Sequence, residues 1–128
     1  MIIVDTSILV AIVLEEPDVL QLSDVIADSL DWAIPSSCYL EATMVLARTA
    51  KGRQALDGLL GSATRMIPID ETVARLAADA FERYGRGRGH AARLNFGDCL
   101  SYAVAKALDA PLLFKGGGFA LTDVAAAL

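Results

Sequence analysis

Three of the sixteen acidic residues in this 128-residue chain stand where solvent is not expected. Asp5 closes the apolar run Met1-Ile2-Ile3-Val4, Glu41 interrupts the nearly uncharged CYLEATMVLA, and Asp98 lies in LNFGDCLSYAVA. A carboxylate taken out of water unpaired costs several kcal/mol, so it must be neutralised, paired or bound to a cation. Few basic residues lie near these three in sequence, which favours a metal. Mg2+ and Mn2+ prefer carboxylate oxygens and water and need few protein ligands. Such an ion activates water and offsets charge on a phosphate in transfer.

Each acid also has a plainer reading. Asp5 is placed to cap a helix beginning near Ser7. Asp98 follows Asn95 by three residues, the spacing of a capping box. Glu41 has the wrong spacing from Ser36 and Ser37 for such a box, and its plain alternative is a buried salt bridge to an arginine. No one of the three is specific. Their joint placement, on one strand end and two helix starts, carries the argument.

The elements that must position them alternate between short apolar runs and helical patterns. MIIV reads as a strand buried on both faces, ended by Asp5-Thr6-Ser7. ILVAIVLEE is helical up to Pro17, and Asp18 is placed to cap a helix through VLQLSDVIADSL. WAIP (32–35) is a second strand, followed by a long helix from about Cys38 to Lys51 and another over roughly Gln54 to Ala63. MIPI (66–69) is a third strand. Asp70 or Glu71 opens a helix whose apolar positions Val73, Leu76, Ala77, Ala80, Phe81 and Tyr84 recur at three and four residues. Residues 85–93 form the one flexible loop, Asn95 starts a helix through Leu108, PLLF (111–114) is a fourth strand, and an Ala-rich helix ends the chain. This order predicts one α/β domain over residues 1–128, with a mostly parallel sheet of four or five short strands flanked by helices. Ligands of such sheets gather beyond the carboxyl ends of the strands, where Asp5 stands.

Composition narrows the function. With 11 Lys and Arg against 16 Asp and Glu the net charge is −5, which argues against a general basic surface for nucleic acid. It suits an acidic pocket that needs cations, or a basic partner. The exception is RYGRGRGHAAR (83–93), which holds four arginines and the single histidine and no acid. Arg86, Arg88 and Arg93 are placed to track an RNA backbone, since arginine pairs bidentately with phosphate; the same run also reads as a solvated loop. His90 lacks the partner a general base needs. Trp32, Tyr39, Tyr84 and Tyr102 are too scattered for a base-stacking platform. The longest apolar run, Ile8 to Leu14, is far short of the ~20 residues of a membrane span, and the N-terminus does not read as a secretory signal. Cys38 and Cys99 lack metal-type spacing and read as buried thiols of a reducing cytoplasm.

The segments MIIVDTSILVAIVLEEP, YLEATMVLAR, LNFGDCLSYAVAKALDAPLLFKG and FALTDV together resemble a bacterial VapC toxin of the PIN-domain superfamily, in order and spacing over nearly the whole chain. The resemblance implies a PIN fold and Mg2+- or Mn2+-dependent endoribonuclease activity. It assigns the family's first three acids to Asp5, Glu41 and Asp98, and its hydroxyl position, supporting the metal's water shell, to Ser7. It further implies a homodimer silenced by a VapB-type antitoxin, which commonly directs a basic side chain at the acidic pocket.

One departure stands out. Where the family carries acids in a pattern like Lys-Gly-Asp-Asp-Phe, this chain has Lys115-Gly116-Gly117-Gly118-Phe119. Asp123 is the one nearby acid placed to substitute from the next helix. Three carboxylates imply one well-held metal and weaker binding of a second. Two competing readings follow: a degenerate PIN domain that binds antitoxin or RNA without cutting, and a phospho-receiver domain built on Asp5, Asp70 and Lys115. The receiver reading leaves Glu41 and Asp98 unexplained.

Overall fold

The computed structural model describes residues 1–29, 31–61 and 64–128. Four strands, β1 (Ile2–Val4), β2 (Trp32–Pro35), β3 (Arg65–Ile67) and β4 (Leu112–Leu113), form one parallel sheet in the order β3-β2-β1-β4. Among the described residues six α-helices surround it: α1 (Thr6–Val13), α2 (Val19–Asp28), α3 (Ser36–Val45), α4 (Gly52–Leu60), α5 (Glu71–Tyr84) and α6 (Phe96–Ala107). The expected ends of the second and fourth helices, at Leu30 and Ala63, lie outside the described residues.

Strand periodicity divides the core in two. Ile3, Ala33 and Leu112 face a cluster built with α5 and α6, while Val4, Ile34 and Leu113 face one built with α1, α3 and α4. Each wholly buried Ile or Leu contributes on the order of 1.5–3 kcal/mol, and both faces need cover. That is why these strands read as unbroken apolar runs. Helix α6 is buried from Cys99 through Ala105, because it lies between the sheet, α5 and α3.

Local chemistry sets the helix starts. Asp5 caps α1 by accepting from Ser7 N, and Asp70 caps α5 by accepting from Val73 N. Asn95 and Asp98 form a reciprocal capping box on α6. Asp18 precedes α2 but makes no side-chain cap; its carboxylate faces Lys115 Nζ at 3.5 Å instead.

Three expectations need correction. The helix after β2 stops at Val45 and tightens into a single 3-10 turn at Leu46–Arg48, where Leu46 enters the core. The Arg-rich stretch is tied at both ends, Leu94 N donating to Tyr84 O and Arg86 N to Leu94 O. His90 closes it further: its Nδ1 accepts from Ala92 N and its ring stands edge-on to Tyr84, so it has a structural task. The Ala-rich tail forms no helix after the short turn Phe119–Leu121. Leu112 N donates to Ala125 O and Ala127 N to Leu112 O, so the tail adds a bridge on the outer edge of β4. Isolated helices under ~12 residues are marginal in water, whereas an open strand edge offers ready partners.

Candidate active site

The sheet order places a topological switch point between β1 and β4, where crossovers diverge to opposite sides. Asp5 emerges from β1 at that point. Glu41 reaches it from the second turn of α3, and Asp98 from the first turn of α6. All three line one open cleft of about 370 Å³ with Thr6, Ser7, Glu16, Lys115 and Gly116.

Asp5 is the most buried of the acids, at 4% exposure. Its Oδ2 accepts from Ser7 N (3.0 Å) and Ser7 Oγ (2.7 Å), and its Oδ1 from Ser101 Oγ (2.6 Å). Ser7 Oγ in turn accepts from Lys115 N at 3.0 Å, which ties the loop after β4 to Asp5. Asp98 uses Oδ2 to accept from Asn95 N at 3.0 Å, which leaves Oδ1 outside the capping box. Capping does not exhaust Asp5 or Asp98, because each carboxylate has more acceptor sites than its cap uses. Glu41 lies against the backbone of α6: a β-carbon at Gly97 would fall 2.2 Å from Glu41 Oε2. Only glycine permits that approach.

The electrostatics are unbalanced. Among the described residues no salt bridge engages Asp5, Glu41 or Asp98, so the arginine pairing considered for Glu41 does not form. Burial raises the Asp98 carboxyl above its ordinary value; the Asn95 N–H opposes this, while the charges of Asp5 and Glu41 add to it and Arg86 offsets part. Among the described residues Lys115 is the one cation lining the cleft, and its ammonium is held by Glu16 at 2.5 Å and Asp18 at 3.5 Å.

Could these residues hold a metal? Among the described residues no trio of His, Cys, Asp or Glu converges tightly enough to enclose an ion alone. The donors are nevertheless the right kind: hard carboxylate oxygens, uncompensated, around an open cleft with room for water. Such a set fits Mg2+ or Mn2+, which keep several waters.

A model of the PIN domain matches residues 2–125. This chain belongs to the PIN-domain family. Among its relatives, a ribonuclease VapC of Mycolicibacterium smegmatis is 44% identical over 127 residues, covering 97% of this chain and 98% of that protein. Ribonuclease VapC28 of Mycobacterium tuberculosis is 43% identical over 129 residues, covering 98% and 97%. The PIN fold recurs in the crystal structure of the Mycobacterium tuberculosis toxin VapC20, with TM-score 0.79, 17% identity and coverage of 97% of this chain and 96% of that one. It recurs also in a toxin–antitoxin complex from Klebsiella pneumoniae, with TM-score 0.72, 21% identity and coverage of 94% and 91%. The receiver reading falls with this assignment, and Asp70 is occupied as a helix cap.

Asp123, the acid expected to reach the site from the next helix, does not line the cleft. Its carboxylate accepts from the Tyr102 hydroxyl and from Lys106 Nζ (3.3 Å), and pairs with Arg83 at 3.7 Å. The tail that carries it is pinned along β4, which directs Asp123 towards α6 and α5. Of the glycine triplet, Gly116 lines the cleft, and a β-carbon at Gly117 would meet nothing within 4 Å. At Gly118 it would meet Ala92 O at 2.9 Å.

Sequence reasoning overlooked Glu16 and Ser101. Glu16 looked like an ordinary helix-end acid, and only the turn after α1 brings it to Lys115. Ser101, buried within α6, gave one signal: a hydroxyl three residues after Asp98, on the same helix face. The arginines divide. Arg86 lines a second cavity with Phe81 and Phe96, Arg88 lies over the Phe81 ring at 5.8 Å, and Arg93 is exposed. That second cavity, about 720 Å³ and almost entirely apolar, is larger than the acidic cleft, but Arg86 is its sole charged wall. The three carboxylates line the smaller one.

Proposed function

We propose that this protein is a metal-dependent endoribonuclease, the toxin of a type II VapBC toxin–antitoxin pair, with Asp5, Glu41 and Asp98 as the acids that hold Mg2+ or Mn2+. The observation that carries the reading is three carboxylates gathered at the sheet's switch point with no protein cation paired to them. The kinship with VapC ribonucleases at 43–44% identity over nearly whole chains supports it.

When bound, the divalent ion supplies activation of water and stabilisation of charge on the scissile phosphate. The chain's own work is to hold its ligands. Ser7 and Ser101 fix the Asp5 carboxylate from two sides, the capping box fixes Asp98, and Gly97 admits Glu41. Arg86, Arg88 and Arg93 bind the RNA backbone, with Arg86 nearest the acids. No side-chain nucleophile is required.

A VapB-type antitoxin is the proposed partner, its basic side chain answering the uncompensated acids. The solved toxin–antitoxin complex on the same fold is consistent with this. The protein acts as a homodimer, for which the exposed Leu40, Met44, Val45 and Phe96 (84% exposed) offer an apolar surface. Two buried free thiols fit a reducing cytoplasm, and no helix among the described residues is long and apolar enough to cross a membrane.

The test is cleavage of a structured RNA mixture with Mg2+, Mn2+ or chelator, beside Asp98→Asn. Cleavage that needs both metal and Asp98 is expected; undiminished metal-dependent cleavage by the mutant would sink the assignment. The glycines where the family usually carries one or two acids favour a second reading, binding without cutting. A folded wild type that binds RNA or antitoxin yet cuts in no metal would establish it.

A further inference from the structure

We propose that Ser101 is a positioning residue for Asp5, the middle link of a buried relay from the Cys38 thiol through the Ser101 hydroxyl to Asp5 Oδ1. The inference rests on the reading of Asp5 as a metal-holding acid.

Ser101 is wholly buried, at 0% exposure. Its Oγ stands 2.6 Å from Asp5 Oδ1 and 3.3 Å from Cys38 Sγ. An ionised carboxylate only accepts, so the single proton of Ser101 is committed to Asp5. The contact with Cys38 then has one remaining polarity: the thiol donates to Ser101 Oγ. This requires a thiol that stays protonated, and burial together with the charge of Asp5 pushes Cys38 up to about 12.

The relay reaches Asp5 from the side opposite Ser7. Oδ2 takes both donors of Ser7, from α1, and Oδ1 takes Ser101, from α6. The carboxylate plane is thereby fixed between two helices, with lone-pair capacity left on Oδ1. Because Ser101 follows Asp98 by three residues on one buried helix, α6 sets the spacing of Asp5 and Asp98 together. A hydroxyl there does more than satisfy itself: buried donors that orient a ligand commonly govern metal affinity about 10- to 100-fold.

The experiment measures Mn2+ binding to metal-free protein by calorimetry, the melting temperature, and kcat and KM on RNA, for wild type, Ser101→Ala, Ser101→Cys, Cys38→Ala and Asp98→Asn. Ser101→Ala is expected to bind Mn2+ about 10- to 100-fold more weakly and to lose kcat, with KM for RNA within about twofold of wild type. Ser101→Cys, which keeps a weaker donor, should fall between, and Cys38→Ala should show the smallest loss. A purely structural serine would shift the melting temperature and leave Mn2+ affinity and kcat alone; that result overturns the proposal. If Ser101→Ala does not fold, wild-type Mn2+ affinity in both Ser101→Cys and Cys38→Ala overturns it equally. Loss in Asp98→Asn without loss at Ser101 rejects the relay and spares the nuclease reading. A wild type that neither binds Mn2+ nor cleaves removes both.

Discussion

Two acidic sites in this molecule invite comparison, the cluster around Asp5 and the lone carboxylate of Asp123. Asp123 sits among a tyrosine hydroxyl, a lysine and an arginine, and its carboxyl is lowered from its ordinary value chiefly by Tyr102. Asp5, Glu41 and Asp98 gather with no salt-bridge partner, and burial with mutual repulsion raises Asp98. The first group is balanced and holds the tail against α6. The second is a standing electrostatic cost within the fold, which a divalent cation would offset. An acid's type and neighbourhood in sequence do not separate these cases; the presence or absence of a counter-charge does.

The sharpest way to break the comparison is Asp98→Asn. Cleavage should fall by at least about 100-fold, while the melting temperature in chelator rises. The sign follows from the raised Asp98 pKa. Its ionised form opposes the fold, so stability is fullest below the ordinary Asp range and declines as pH rises through the raised value. A lower melting temperature in chelator at neutral pH would show that the cost of burying the Asp98 charge beside Asp5 and Glu41 is not the governing one there.

Gly97→Ala tests the other half of the cleft without touching a charge. Its β-carbon would collide with the Glu41 carboxylate, and displacing that acid should cost about 10- to 100-fold in Mn2+ affinity. Unchanged Mn2+ binding would remove Glu41 from the metal site. Gly117→Asp works in the opposite direction. There is open space at its β-carbon, and an added acid next to Gly116, which lines the cleft, should tighten Mn2+ several-fold in a calorimetric titration. Gly118→Asp meets the Ala92 carbonyl and should do so less well.

The smallest effect is expected on the balanced group. Asp123→Asn should leave cleavage unaltered and lower stability by about 1 kcal/mol, a figure discounted for the exposure of its partners. Because the Asp123 pKa is lowered, that contribution is present above the ordinary Asp value and lost as pH falls through the lowered one. Denaturation curves of mutant and wild type should therefore converge in acid. A loss of cleavage in Asp123→Asn at full stability would return Asp123 to the list of working acids.

Much of this was legible in the sequence. The unbroken apolar runs MIIV, WAIP and PLLF announced strands, the first of them buried on both faces, and the helical patterns between them left a parallel sheet as the natural arrangement. Asp5, Glu41 and Asp98 stood out together because each broke an apolar context, although helix capping accounts for Asp5 and for Asp98 taken singly. The tail was misread since Ala-rich composition favours helix, whereas the open edge of β4 supplied better backbone partners. Asp123 was misread with it: its neighbourhood in sequence suggested the cleft, and the bridge at Ala126 turned it towards Lys106 and Arg83.

What the sequence determined by itself, then, was periodicity and incongruity: which runs are buried, and which charges do not belong there. Those are local properties, fixed by side-chain type and spacing. What only the tertiary structure decided was pairing. The hold of Ser101 on Asp5 spans 96 positions and that of Lys115 on Ser7 spans 108. No local pattern encodes such contacts, because they exist only once α6 and β4 have packed against β1.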